Sequence, residues 1–226
     1  VTLKDGAVGA AGTATSVAGI PFYSVSSNNS LYTHDVSGTD NTAENNTAYG
    51  FSAMDAITTG DHNVAIGKES LTANTTGASN VSIGVQANYG ADTESHNLSI
   101  GQAALGSSVA GGEYNVAIGN FSLDALTSAD YSVAVGYDAG SAITTGGNNT
   151  LMGYQAGKHI TTGTNNTGVG IQALYNFDTE GNNTAVGQSA LGGAIAGGEY
   201  NVAVGNLSLD ALTSGDNNTA IGYQAG

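Results

Sequence analysis

The chain has 226 residues, with 35 glycines, one proline and no cysteine, and 18 acidic residues against three lysines give a net charge of −15. Three cations (Lys4, Lys68 and Lys158) and no arginine exclude phosphate-backbone recognition of nucleic acid and attachment to anionic lipid, both of which need clustered Lys or Arg. The missing cysteine excludes disulfides and Cys–zinc sites, while 40 % hydrophobic and 9 % charged residues argue against disorder.

Residues 1–44 carry no clear copy of the motif that dominates the remainder. Gly6 to Gly19 is small and flexible in composition; Ile20 to Thr33 is richer in strand formers, with Phe22, Tyr23, Val25, Leu31 and Tyr32. The stretch is expected to act as an N-terminal cap or linker, since the first layer of a stack needs cover. No run of 18 apolar residues occurs, so no membrane-inserted helix is expected, and no signal-peptide pattern is visible.

From residue 45 to 226 one unit recurs: Asn-x-Ala-Ile/Val-Gly. Its glycines are Gly50, Gly67, Gly84, Gly101, Gly119, Gly136, Gly153, Gly170, Gly187, Gly205 and Gly222, in steps of 17 residues apart from two of 18. A short fixed period means one structural unit stacked many times. Positions are numbered below from this glycine. Position −4 is Asn46, Asn63, Asn80, Asn97, Asn115, Asn149, Asn166, Asn183, Asn201 or Asn218, with Ser132 the exception. Position −3 is Thr, Val or Leu, −2 is mostly Ala or Ser, −1 is mostly Ile or Val, and +3 is always Ala or Ser.

Large–small alternation over five residues is strand periodicity, and the glycine ends the strand. A second short strand is expected after it, with apolar residues at +4 and near +7, before a Thr-Thr-Gly turn. The expected fold is all-β: a parallel β-roll or solenoid of about eleven 17-residue coils. Its asparagines should form a structural ladder of amides along the axis, as stacked amides do in cross-β assemblies. The Ala and Asn column has no evident cover within one chain, so oligomerisation is expected. A longer period is superposed: residues 102–140 nearly repeat at 188–226, making 55–140 and 141–226 tandem five-coil blocks. The repeat breaks off inside a copy at Gly226 and is expected to continue past it.

Asn63-Val64-Ala65-Ile66-Gly67, Asn115-Val116-Ala117-Ile118-Gly119 and Asn201-Val202-Ala203-Val204-Gly205 resemble the head repeats of trimeric autotransporter adhesins. The Asn-Asn-Thr-Ala-Ile-Gly-Tyr-Gln-Ala version at 217–225 is also similar to repeats of phage tail fibres and other secreted bacterial fibres. The resemblance covers about 45–226. It implies a left-handed roll, a homotrimer, a location outside the cell on a surface appendage or virion tail, and adhesion to a host or partner surface. The head repeats are typically shorter than 17 residues, so the turns here are longer.

No acid, base or nucleophile recurs beside a partner group, so a non-enzymatic protein without cofactor or metal is expected. His34, His62, His96 and His159 fall at unrelated frames and read as surface variants. The recurring Asp55 with Asp61, Asp124 with Asp130 and Asp210 with Asp216 read as turn chemistry, with calcium at chain contacts the alternative. Asn-x-Ser/Thr sequons follow from the repeat itself. Tyr137, Tyr154 and Tyr223 read as packing over the neighbouring coil, with sugar stacking the alternative. In the 18-residue coils, Ala-Gly-Gly-Glu-Tyr is expected to bulge from the rod, which makes Glu113, Tyr114, Glu199 and Tyr200 candidate surface contacts. The alternative to a fibre is a monomeric glycan- or ice-binding solenoid.

Overall fold

Alternating β-branched and small residues put one face of each motif outward and one inward, and the glycine stops the strand after three residues. The computed structural model describes residues 13–17, 20–25, 30–32, 42–107, 111–193 and 198–226. Among the described residues fourteen strands form one sheet in chain order. β1 (Thr13–Val17), β2 (Ile20–Val25) and β3 (Ser30–Tyr32) are antiparallel neighbours. β3 then pairs in parallel with β4 (Thr47–Tyr49). The parallel run continues through β5 (Val64–Ile66), β6 (Val81–Ile83), β7 (Leu98–Ile100), β8 (Val116–Ile118) and β9 (Val133–Val135). It ends with β10 (Thr150–Met152), β11 (Thr167–Val169), β12 (Thr184–Val186), β13 (Val202–Val204) and β14 (Thr219–Ile221). Each residue pairs with its equivalent one coil on: Val116 with Val133, Val133 with Thr150, Thr150 with Thr167. The result is an all-β solenoid whose twelve parallel strands, at about 4.8 Å per step, give a rod on the order of 50 Å long.

Two sequence expectations are corrected. First, each coil holds one strand. Among the described residues, thirty non-glycine residues have positive φ, and all fall in three columns, at positions −5, +2 and +4. In one coil these are Tyr114, Phe121 and Leu123, with φ near 50–60°. Left-handed residues at +2 and +4 bend the chain where a second strand was expected, although amide bonds between coils continue there, as from Leu123 to Ala139. No β-branched residue occupies any of these columns, consistent with its clash at positive φ. The motif glycine has a stricter reason: Gly136 has φ 143°, and a Cβ there would stand 2.3 Å from the Gly153 carbonyl oxygen.

Second, the Ala and Asn column is the inside of the coil, covered by the chain itself. Ala48, Ala65, Ala117, Ala134, Ala185 and Ala203 are buried. Across from them lie Ala or Ser at +3, Leu or Met at +4 and Ile, Leu or Phe at +7, among them Leu123, Leu126, Ile143, Leu174 and Phe177. The tight corners bring these large side chains over the small ones, so a thin coil fills its own lumen. Each such burial contributes about 1.5–3 kcal/mol. Val109 and Ile195, the apolar residues near +7 in the two long coils, lie outside the described residues.

The ladder has a definite chemistry. Each asparagine Oδ1 accepts from the backbone N–H of the next rung: Asn46 from Asn63 at 2.8 Å, Asn149 from Asn166 at 2.9 Å, Asn201 from Asn218 at 2.9 Å. From Asn46 to Asn201 each Nδ2 donates to a carbonyl near the following turn, as Asn63 does to Gly77 and Asn166 to Glu180, both at 2.8 Å. The contacts run side chain to backbone rather than amide to amide, except towards the C-terminal end, where Nδ2 of Asn183, Asn201 and Asn218 also donates to Oδ1 of Asn166, Asn183 and Asn201. Ser30 supplies the lowest rung, its Oγ accepting from the Asn46 N–H at 3.0 Å. Ser132 is the weak rung: its Oγ stands 3.4 Å from the Asn149 N–H, and Asn149 Nδ2 covers the Gly146 carbonyl that serine cannot reach.

Asn166→Ala would strand the buried Asn183 N–H and the Glu180 carbonyl. It should cost about 2–4 kcal/mol in chemical denaturation and speed hydrogen exchange at the Asn183 amide. Ser132→Asn should stabilise the rod by about 1 kcal/mol in the same assay.

Candidate binding surfaces

The outward strand face is built from positions −3 and −1. It presents Thr, Val or Leu beside Ile, Val, Met or Tyr on every coil, half-buried or exposed. Position +1 flanks it with exposed Phe51, Val85, Tyr137, Tyr154, Ile171 and Tyr223. Tyr137 and Tyr154 stack on each other with centroids 5.6 Å apart, and Phe121 meets Tyr137 edge-on. Their faces are thus partly spent on neighbouring coils.

A second edge is formed by position −5, held left-handed in every coil. Asparagine suits that conformation, which explains the recurring Asn-Asn pair. Histidine and tyrosine substitute at His62, His96, Tyr114, Tyr131 and Tyr200. His96, Tyr114 and Tyr131 form a stacked ladder, with centroids 4.7 and 5.3 Å apart. Tyr114 and Glu113 sit in the regular −5 and −6 columns, one coil-step from Tyr131 and Asp130; the Tyr131 N–H bonds to the Glu113 carbonyl. Tyr200 and Glu199 occupy the same columns in the second block, where the Asn217 N–H bonds to Glu199. Residues 108–110 and 194–197 of the two long coils lie outside the described residues, and so does His34. The glutamates are half-buried and the tyrosines exposed.

Asp61, Asp130 and Asp216 cap turns of the preceding coil, each Oδ1 accepting from the N–H of Glu44, Glu113 or Glu199 at 2.7–2.8 Å. Their sequence companions Asp55, Asp124 and Asp210 lie at +5, on the other side of the coil. Among the described residues no group of three His, Cys, Asp or Glu side chains is placed to hold a metal. The sequons divide by position: Asn45, Asn120, Asn148, Asn165, Asn182, Asn206 and Asn217 are exposed, while the rung asparagines Asn80 and Asn97 are buried. In the Thr-Thr pairs the first hydroxyl is spent on the next coil, as from Thr58 to the Thr75 carbonyl and from Thr144 to Thr161; Asp92 and Asp178 break the column.

Sequence reasoning missed two buried carboxylates, Glu94 and Glu180, which stand just before the two long coils. Glu94 Oε2 accepts from the Asp92 and Thr93 N–H groups, and its Oε1 accepts from Gly111 in the long coil at 2.8 Å. Glu180 repeats the first two bonds with Asp178 and Thr179. The signal was the Asp-Thr-Glu triplet present in both blocks. A short acceptor inside the turn satisfies amides where the next coil runs one residue longer.

On the +5 side, Lys158 Nζ stands 2.9 Å from Asp138 Oδ2, and the Asp138 hydrogen bond holds the ammonium above its usual range. Burial, and then the Asp138 charge, push the Asp124 carboxyl above the ordinary aspartate range. A raised folded value means that the native state holds the proton more tightly than the unfolded chain. Stability therefore falls as pH rises from the ordinary aspartate range through the raised value, and stays lower above it. Asp124→Asn should raise the Tm at pH 7, and the advantage should vanish as the pH is lowered through that window in a thermal-melt series.

Compared with known proteins, the chain matches no family model, no curated protein and no solved structure.

Proposed function

We propose that this chain is a non-enzymatic fibre segment that self-associates through its outward strand face and projects or forms an adhesive surface outside the cell. The observation that carries the reading is an uncovered parallel sheet. Parallel sheets normally have both faces covered. Here the inner face is filled by the lumen, while the −3 and −1 columns present Val, Ile, Leu and Thr to solvent along the whole rod. Three residues by twelve strands make a face on the order of 500 Å². The flanking +1 column widens it towards the roughly 800 Å² per partner of a stable interface. Few cations and dispersed acids leave no competing charged patch.

A homotrimer is the assembly that the resemblance to autotransporter heads and tail fibres suggests, and threefold closure lets each rod cover two neighbours with one apolar face. The partner of the assembled fibre is then a host or partner surface, carried by a cell appendage or a virion tail. The exposed edge with Tyr114, Glu113, Tyr200 and Glu199 is the part of the rod left free for contact.

Light scattering of the purified chain should give three times the 22.2 kDa protomer mass. Ile118→Glu with Val135→Glu, both outward, should reduce it to one protomer mass with the circular dichroism spectrum retained. A stable wild-type monomer at micromolar concentration would overturn the fibre reading in favour of a solitary surface-binding solenoid.

A further inference from the structure

The lumen is apolar along most of its length, but it changes character between Gly67 and Gly101. Position +4, elsewhere Leu, Met or Gly, is Asn88. Position +7, elsewhere mostly Ile, Leu or Phe, is Asn74 in one coil and Ala91 in the next. Position −2 carries Ser82 and Ser99 in place of alanine, and position +3 carries Ser70. All of these side chains are buried, with Asn74 and Asn88 at 0 % exposure. Among the described residues, the apolar core correspondingly forms two clusters, one ending at Ala91 and the other beginning at Ala104.

The repeat geometry shows what surrounds Asn88. At the equivalent position Gly140, an added Cβ would meet Leu123 of the coil below, Leu151 of the strand above and Ile143 of its own coil, all at 2.9–3.1 Å. At Gly168, an added Cβ would meet Leu174 at 3.1 Å, so −2 and +4 oppose each other across the lumen. In Asn88's frame those neighbours are Leu71, Ser99, Ala91 and Ser82. Ser99 Oγ stands 3.0 Å from Ser82 Oγ, and Ser70 Oγ donates to the Ser82 carbonyl at 2.9 Å. Neither Asn88 Oδ1 nor Asn88 Nδ2 has a hydrogen-bond partner in the protein, and Asn74 Oδ1 has none either, although its Nδ2 donates to Gly77.

We propose that this segment is a lumenal hydration site, in which water is bound between the Asn88 amide and the Ser82–Ser99 hydroxyl pair. A buried amide with both ends unpaired is costly, and a bound water removes that cost. Alanine at 91 has three carbons fewer than the isoleucine at the same position of other coils, a gap suited to one or two waters at about 30 Å³ each. The site offers both a donor and acceptors, and a water needs two to four such partners. It holds no formal charge, so neutral water fits better than an ion. The site lies inside the roll and is independent of the assembly proposed above.

Oxygen-17 relaxation dispersion of water around the full chain should detect at least one long-lived internal water. Water–amide cross-relaxation should place it at the Asn88 and Ala91 N–H groups. The double variant Asn88→Leu with Ala91→Ile, which restores the usual lumen residues, should lose that signal and melt at a higher temperature. A wild-type chain with no long-lived water at these amides overturns the proposal. So does a folded double variant whose dispersion is unchanged. Should the double variant fail to fold, the wild-type measurement decides alone.

Discussion

The rod depends on one contact repeated along its axis: a buried asparagine side chain that accepts the backbone N–H of its successor and donates to a turn carbonyl. A 17-residue coil has one three-residue strand, too little to fix its own register. A slip of one residue would turn the lumen face outward. The asparagine prevents this because its two bonds reach two different places, the next strand and the next turn. Both are satisfied only when each coil lies directly over the last. The Ser132 rung shows the rule by its lapse, since a neighbouring asparagine stretches to cover the carbonyl that serine leaves bare.

Around that contact the remainder of the coil is backbone geometry. Three left-handed positions and one glycine per turn allow the chain to close around a single row of Leu, Ile and Ala. Individually such conformations are unfavourable for most residues. They persist because adjacent coils make inter-coil amide bonds at the same places, so each bend is held from both sides. The glutamates at 94 and 180 extend the same economy to the longer coils. Where the regular turn would leave amides unpaired, a carboxylate is folded in to receive them.

Much of this was legible in the residues. The period, the strand, the parallel stacking and the asparagine column all follow from spacing. Which face was inside did not. Ala and Asn looked like an unprotected side because the stretch after the glycine was read as a second strand, and two flat strands cannot cover each other closely. The contrary signal lay in an omission. Thr, Val and Ile abound in this chain, yet none stands at −5, +2 or +4, as columns held at positive φ require. The aromatic ladder of His96, Tyr114 and Tyr131 was hidden for a related reason. Its members differ in chemistry and meet only because they share a frame.

The tandem blocks have a consequence for growth by recombination. Residues 55–140 and 141–226 begin and end at the same point of the winding, and each carries its own Asp-Thr-Glu triplet ahead of its one long coil. Inserting or excising a whole block leaves every junction in the same frame of the winding, at position +5 of a coil. Five coils at about 4.8 Å each amount to a reach of roughly 24 Å. Genetic gain or loss of this unit would therefore lengthen or shorten the shaft in discrete increments without any compensating substitution.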